Sequence, residues 1–291
     1  MSPAEALAIL GAGIAAGAIN AVVGSGSLIT FPTLLAFGFP PVVANVSNNV
    51  GLVPGNFSGA YGYRRELAGQ RGRLIRLGIA AVIGGLTGAV LLLSLPASAF
   101  TLIVPALILI ACVLVLIQPR MAARLAARRA RTAGGAGNGG ATNGGASNGG
   151  ASNGGAGDGG ADNGGGDDRA GHADHIGPVL TGGMLLSGAY GGYFGAAQGV
   201  LVIGLLGSFL DESLQRVNAA KNVLVALVNS TAAIVFILFA HVSWLAVLLI
   251  AAGSTIGGLL GAKFGRRLPP TVLRLLVVVI GIIAAVKLIF F

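Results

Sequence analysis

The sequence predicts an all-α protein that crosses a membrane many times, built from two homologous halves. Three observations lead there. Hydrophobic residues make up 54% of the 291 positions and charged ones only 9%, against about 25% charged in ordinary soluble domains. Charge is also absent over long stretches, from Glu5 to Arg64 and again from Arg76 to Arg120. Runs of roughly 20 apolar residues are what a bilayer-spanning helix requires, and the alternating ten-residue segments of a membrane β-barrel are missing. Finally, the two sides of a central polar segment match one another at a nearly constant offset.

Taken in order, the N-terminal stretch is apolar without the basic start of a cleaved signal peptide, so it is expected to stay as the first membrane segment. Residues 42–63 have the length of one span, which leaves residues 6–39 before them. As one straight helix those would run about 51 Å against a hydrocarbon core of about 30 Å, yet they are short for two full spans and a turn. The economical solution is a helix, a break, and a short second helix that is tilted or re-entrant. Residues 178–210 repeat the problem. The breaks are expected at Gly24-Ser25-Gly26-Ser27 and at Gly195-Ala196-Ala197-Gln198-Gly199. Irregular backbone at membrane depth survives only inside protein or along a cavity.

The first repeat is assigned to residues 1–119 and the second to 178–291, with a basic segment and Gly/Asn-rich linker over 120–177. Within that linker a unit close to G-G-A-x-N recurs, with too little apolar surface to offset the entropy of ordering. His172 and His175 at its end have no further cysteine or histidine nearby, so no metal site is expected. A shift of 171 residues aligns Gly24 with Gly195; a shift of 173 aligns Asn45, Asn49 and Asn56 with Asn218, Asn222 and Asn229. The same shift aligns the Gly-Gly-Leu-x-Gly-Ala runs at 84–89 and 257–262, which are expected to serve close helix packing. Such repeats are frequent in secondary transporters.

Orientation follows from charge. The basic loops lie at 64–76, 120–131 and 263–267, and the positive-inside rule sets such loops in the cytoplasm. All three share that side only if the halves are inverted, which gives eight to ten helical membrane segments. The net charge of +9 is thereby a topology signal rather than a nucleic-acid footprint. No P-loop or dinucleotide fingerprint follows "GSGS", and no nucleophile–base pair or metal cluster is visible. Neither an enzyme nor a cofactor is expected, and the single Cys112 is expected as a small buried hydrophobe.

Polar groups inside a bilayer mark helix contacts or a substrate path. Asn45, Asn49 and Asn56 share one helical face, as do Asn218, Asn222 and Asn229; they serve either interhelical bonds or a shared central site. Lys221, whose partner in the first half is Asn48, either snorkels to the interface or is a buried cation without an intramembrane carboxylate. In the second case its counter-charge arrives with the substrate. Proton and metal-cation paths generally use embedded acids or histidines, whereas glycine-rich breaks and half-helix N-termini offer donors to an anion.

The stretch "GAINAVVGSGSLITFPTLLAFGFPPVVANVSNNVG", followed by a basic loop, resembles the TauE/SafE family of sulfite exporter-like permeases. The resemblance rests on Gly24, Gly26, Pro32, Leu34, Gly38, Pro40, Ala44 and Asn45, with Ser25 and Ser27 replacing part of the glycine cluster and no counterpart of Pro32 in the second half. It implies transport of a sulfur-containing or small organic anion, such as sulfite or a sulfonate, across the cytoplasmic (plasma or inner) membrane. The expected substrate-binding set is Gly24, Ser25, Gly26, Ser27, Asn45, Asn49, Gly195, Gln198, Gly199, Asn218, Lys221 and Asn222, supported by Pro32, Asn48, Asn56 and Asn229. The expected partners are the anion, membrane lipid and a coupling ion, proton or sodium, that the residues do not specify. An exporter of a neutral or cationic solute, and a non-transporting membrane scaffold, are the competing expectations.

Overall fold

A computed structural model describes residues 1–136, 177–210 and 212–264, together with 275, 278–283 and 285–286. Most of the Gly/Asn-rich linker, with His172 and His175, lies outside the described residues, as does Asp211. One compact unit comprises Met1–Leu125 with Ile176–Phe291, and a second comprises Ala126–His175. Everything below concerns the first.

Among the described residues every regular element is a helix. The first half contains α1 (Pro3–Val22), α2 (Ser27–Ala36), α3 (Pro41–Gly62), α4 (Arg71–Ser94) and α5 (Ala97–Ala136). The second contains α6 (Pro178–Tyr193), α7 (Gln198–Phe209), α8 (Leu214–Phe239) and α9 (Trp244–Phe264). Local chemistry explains the starts. Ser2 and Glu5 form a reciprocal capping box ahead of Pro3, satisfying two of the open N–H groups of the first turn. Pro41 and Pro178 stand at first helical positions, where the missing N–H costs nothing, and Ser213 caps α8 through the Arg216 N–H.

Among the described residues five helices are long and apolar enough to cross a membrane: α1, α4, Ala97–Arg120 of α5, α8 and α9 up to Lys263. Although α3 has 22 residues, it is not among them, because its inward face carries Asn45, Ser47, Asn48, Asn49 and Asn56, all buried. Large apolar side chains such as Leu102, Leu186, Leu238 and Phe239 are exposed, as a lipid-facing surface requires.

Helix packing crosses between the halves. α1 runs parallel to α9, with Gly13 against Ile250, Gly257 against Ala18 and Gly261 against Ala18. α4 runs parallel to α6 in the same manner, through Gly84 against Ala189 and Gly88 against Tyr193. A Cβ at either Gly84 or Gly257 would fall 2.9 Å from a backbone nitrogen of the facing helix, so both seams depend on the absent side chain. The glycine runs therefore serve close packing as expected.

α3 and α8 are antiparallel. The Gln70 side chain, just beyond α3, donates to the Arg216 carbonyl near the start of α8 at 3.3 Å. At the other end, the Ser243 N–H beyond α8 donates to Ser47 Oγ early in α3 at 2.9 Å. Glu212 fastens the first of these ends, with Oε1 3.1 Å from Arg73 and Oε2 2.5 Å from Arg216. Cys112 is buried, as expected.

Candidate functional site

Helix α1 stops because Gly24 turns into the left-handed region at φ +85, which a side-chain-bearing residue adopts only at a cost. Its last carbonyls then have no intrahelical partner, and in a bilayer they need one. Helix α8 provides it. Lys221 Nζ donates to the Asn20 carbonyl at 2.7 Å and to that of Ala21 at 3.3 Å. Asn218 Nδ2 donates to Ala21 at 3.0 Å, and Asn222 Nδ2 to the same oxygen at 3.3 Å. From α5, Gln118 Nε2 donates to the Val23 carbonyl at 3.2 Å. Lys221 is 1% exposed; it does not snorkel. Its ammonium sits on the negative end of the α1 dipole, a favourable position for a cation.

The second break mirrors the first in part. Gly195 has φ +75 and Ala197 φ 57, the latter a strained backbone for alanine. The Tyr193 carbonyl accepts from Asn45 Nδ2 at 3.0 Å, and the Tyr190 hydroxyl donates to the Ala196 carbonyl at 2.5 Å. The breaks also touch each other. The Gly199 N–H donates to the Gly24 carbonyl at 3.1 Å, and a Cβ on either glycine would lie 2.5 Å from the other's Cα. Phe31 of α2 meets Phe194 edge-on, with ring centroids 5.3 Å apart, closing the same contact from the side.

The structure thus brings together Gly24, Gly199, Asn218, Lys221 and Asn222 around the end of α1, with Asn45 and Gly195 at the end of α6. Asn49 and Asn229 are linked to each other by a long bond of 3.5 Å. Asn56 accepts from Asn20, and Asn48 accepts from Thr30, which ties α3 to α2. Pro32 is buried within α2, where its missing N–H loosens one turn. Several buried polar atoms have no hydrogen-bond partner: Ser25 Oγ, Asn49 Oδ1, Asn56 Nδ2, Asn218 Oδ1 and both polar atoms of Gln198. Backbone acceptors among the described residues take none of the Ser25, Gly26 and Ser27 N–H groups, which open the N-terminus of α2. Ser27 itself is half-buried.

Contributors outside the expected set include Asn20, Thr30, Gln118, Tyr190 and Tyr193. Asn20 faces no amide in the second half, since the matching position is Gly191. Gln118 is next to Pro119 and Arg120 at the end of an apolar run, where it has the pattern of an interfacial residue. Its burial is set by the tertiary fold. Thr30 carried a sequence signal, a hydroxyl inside an apolar helix.

The sequence pattern of the Sulfite exporter TauE/SafE family matches residues 9–288. Among curated proteins, the chain is 24% identical over 281 residues to a "Probable membrane transporter protein" of Haemophilus influenzae, an alignment covering 96% of this chain and 92% of that one. No solved structure matches the chain.

Proposed function

The chain belongs to the sulfite exporter TauE/SafE family, and on that premise we propose that it is a secondary permease carrying a small anion, sulfite or a sulfonate in the first instance, by alternating access. The observation that carries the reading is the N-terminus of α2. There the Ser25, Gly26 and Ser27 N–H groups have no backbone acceptor among the described residues, beside a buried Ser25 hydroxyl without a partner. Open N–H groups and the positive end of a helix dipole attract an anion, and unpaired polar atoms at membrane depth are costly unless a solute meets them. Among the described residues the carboxylates are Glu5, Glu66 and Glu212, all at helix ends or in loops, so none opposes an anion within the spans. The unpartnered Nε2 of Gln198 would complete the surroundings, with the unpartnered Nδ2 of Asn56 further along α3.

The two-repeat architecture is part of the proposal. Contacts recur when the halves are exchanged: Gly84 with Ala189 becomes Gly257 with Ala18, and Gly85 with Val228 becomes Gly258 with Gly55. Antiparallel α3 and α8 support inversion of one half relative to the other. The basic loop over 64–76 then shares a side with Arg216, and we take that side as cytoplasmic. In the present conformation Gly24 and Gly199 are in contact, so transport requires this contact to part as one half rocks against the other.

Flux of labelled sulfite or taurine into proteoliposomes tests the reading. Wild type should exceed empty liposomes, and Ser25→Ala should lose a large part of the difference. A panel of anions on which wild type never exceeds empty liposomes refutes it.

A further inference from the structure

A groove of about 600 Å³ runs between α4 and α8. Ile75, Ile79 and Ile83 of α4 line one side of it, and Val223 and Leu227 of α8 line the other. Gly78 leaves room between them: a Cβ there would come 3.1 Å from Leu227 Cδ1. The three isoleucines are exposed, so the groove opens toward lipid rather than into the bundle.

One end of the groove is charged. Arg71, the first residue of α4, lines it. Arg73 is turned to Glu212, which Arg216 also holds. Arg71 by contrast is exposed, and no hydrogen bond or ion pair among the described residues engages its side chain. Arg64, Arg65 and Arg76 are exposed as well. Glu66, Glu212 and, by sequence, Asp211 are the carboxylates near this end, so the arginines outnumber them and the excess charge is positive.

The length of the groove is informative too. From Arg71 to Ile83 the α4 side rises about 18 Å, close to one leaflet of a hydrocarbon core about 30 Å thick. A cationic mouth above an apolar groove one leaflet deep complements a molecule with an anionic head and a hydrocarbon chain. The second half does not repeat this. At an offset of 173 residues, Trp244 and Ala251 stand in place of Arg71 and Gly78, so both the charge and the glycine are replaced.

We propose that the α4–α8 groove holds one phospholipid with an anionic headgroup, its phosphate on Arg71 and an acyl chain along Ile75, Ile79 and Ile83. The planar guanidinium fork matches phosphate oxygens. A zwitterionic lipid brings a cationic group of its own, which the surplus arginines repel. On the sidedness proposed above, the groove faces the cytoplasmic leaflet, where anionic lipids are found. The site itself does not depend on the permease reading.

Thermal unfolding of the purified full chain in detergent tests this. The chain is titrated with dioleoyl phosphatidylglycerol, with dioleoyl phosphatidylcholine, and with glycerol 3-phosphate, which has the charge without the chains. Phosphatidylglycerol should raise the melting temperature saturably and at lower concentration than phosphatidylcholine, while glycerol 3-phosphate leaves it unchanged. Arg71→Gln should move the phosphatidylglycerol midpoint about fivefold higher, the weight of one arginine near an anionic surface, and leave that of phosphatidylcholine in place. Gly78→Leu, which fills the groove, should remove the saturable response to phosphatidylglycerol. If that variant does not fold, Ile75→Glu at an exposed position one turn from Arg71 takes its place, and should weaken phosphatidylglycerol at least as much as Arg71→Gln. Equal midpoints for the two lipids would overturn the proposal. So would a phosphatidylglycerol response that Arg71→Gln or the groove variant leaves intact, or stabilisation by glycerol 3-phosphate. No transport is measured, so failure of the permease reading and failure of the lipid site are told apart.

Discussion

Replacing Gly199 by alanine tests the contact between the two breaks most sharply. A Cβ at this position would fall 2.5 Å from Gly24 Cα, 2.9 Å from the Gly24 carbonyl and 3.0 Å from Lys221 Cδ. Carbon atoms prefer about 3.5–4.0 Å, so the overlap is ~1 Å or more against backbone that has no rotamer to yield. Overpacking of this degree costs about 1–3 kcal/mol. Gly24→Ala meets the same obstacle and adds the left-handed backbone at φ +85, about 1–2 kcal/mol more, for a total of ~2–5 kcal/mol. Gly38 separates the two causes: its φ is +82, yet nothing lies within 4 Å of its Cβ position, so Gly38→Ala should cost only the backbone part. Thermal unfolding in detergent reads the series, at ~2–4 °C per kcal/mol for large domains. The double variant Gly24→Ala with Gly199→Ala should fall short of the sum of the singles, because one separation of the chains relieves both clashes. A Gly199→Ala protein that melts with wild type would refute the close approach and the reasoning built on it.

The two glycine seams should respond alike. Gly84→Ala and Gly257→Ala each place a Cβ 2.9 Å from a facing backbone nitrogen, so each should cost about 1–3 kcal/mol in thermal unfolding; a cost at only one would break the proposed symmetry. Reporters inserted after Gly69 and after His241 should read opposite sides of the membrane, because antiparallel α3 and α8 carry those loops to opposite ends. Glu212→Gln removes the charge between Arg73 and Arg216. It should lower stability by about 1 kcal/mol, less in high salt, because the pairs remain partly exposed.

The breaks were legible in the sequence because the length of residues 6–39 and the bilayer thickness admit few solutions, and glycine marks where the chain can turn. The helices end at Val22 and Tyr193 and resume at Ser27 and Gln198, beside the glycines that signal them. The destination of Lys221 was not legible. A buried cation with no carboxylate nearby suggested the interface or a substrate, whereas the structure gives it backbone carbonyls. Every residue carries the same carbonyl, and which ones stand open depends on where a helix stops and what faces that end. Asn20 was hidden for a related reason: the position 171 residues on is Gly191, so the offset match that made the other asparagines visible passes over it. Gln118 lies about 95 residues from the carbonyl it holds, a pairing that only the folded chain brings about.

The central claim, that an anion meets open N–H groups at the start of α2, is tested most directly by flux in proteoliposomes. Wild type should take up labelled sulfite or a sulfonate above the level of empty vesicles, with Ser25→Ala reduced and Gly38→Ala near wild type. Equal uptake by wild type and empty vesicles across the anion panel, or uptake that Ser25→Ala leaves untouched, would contradict it.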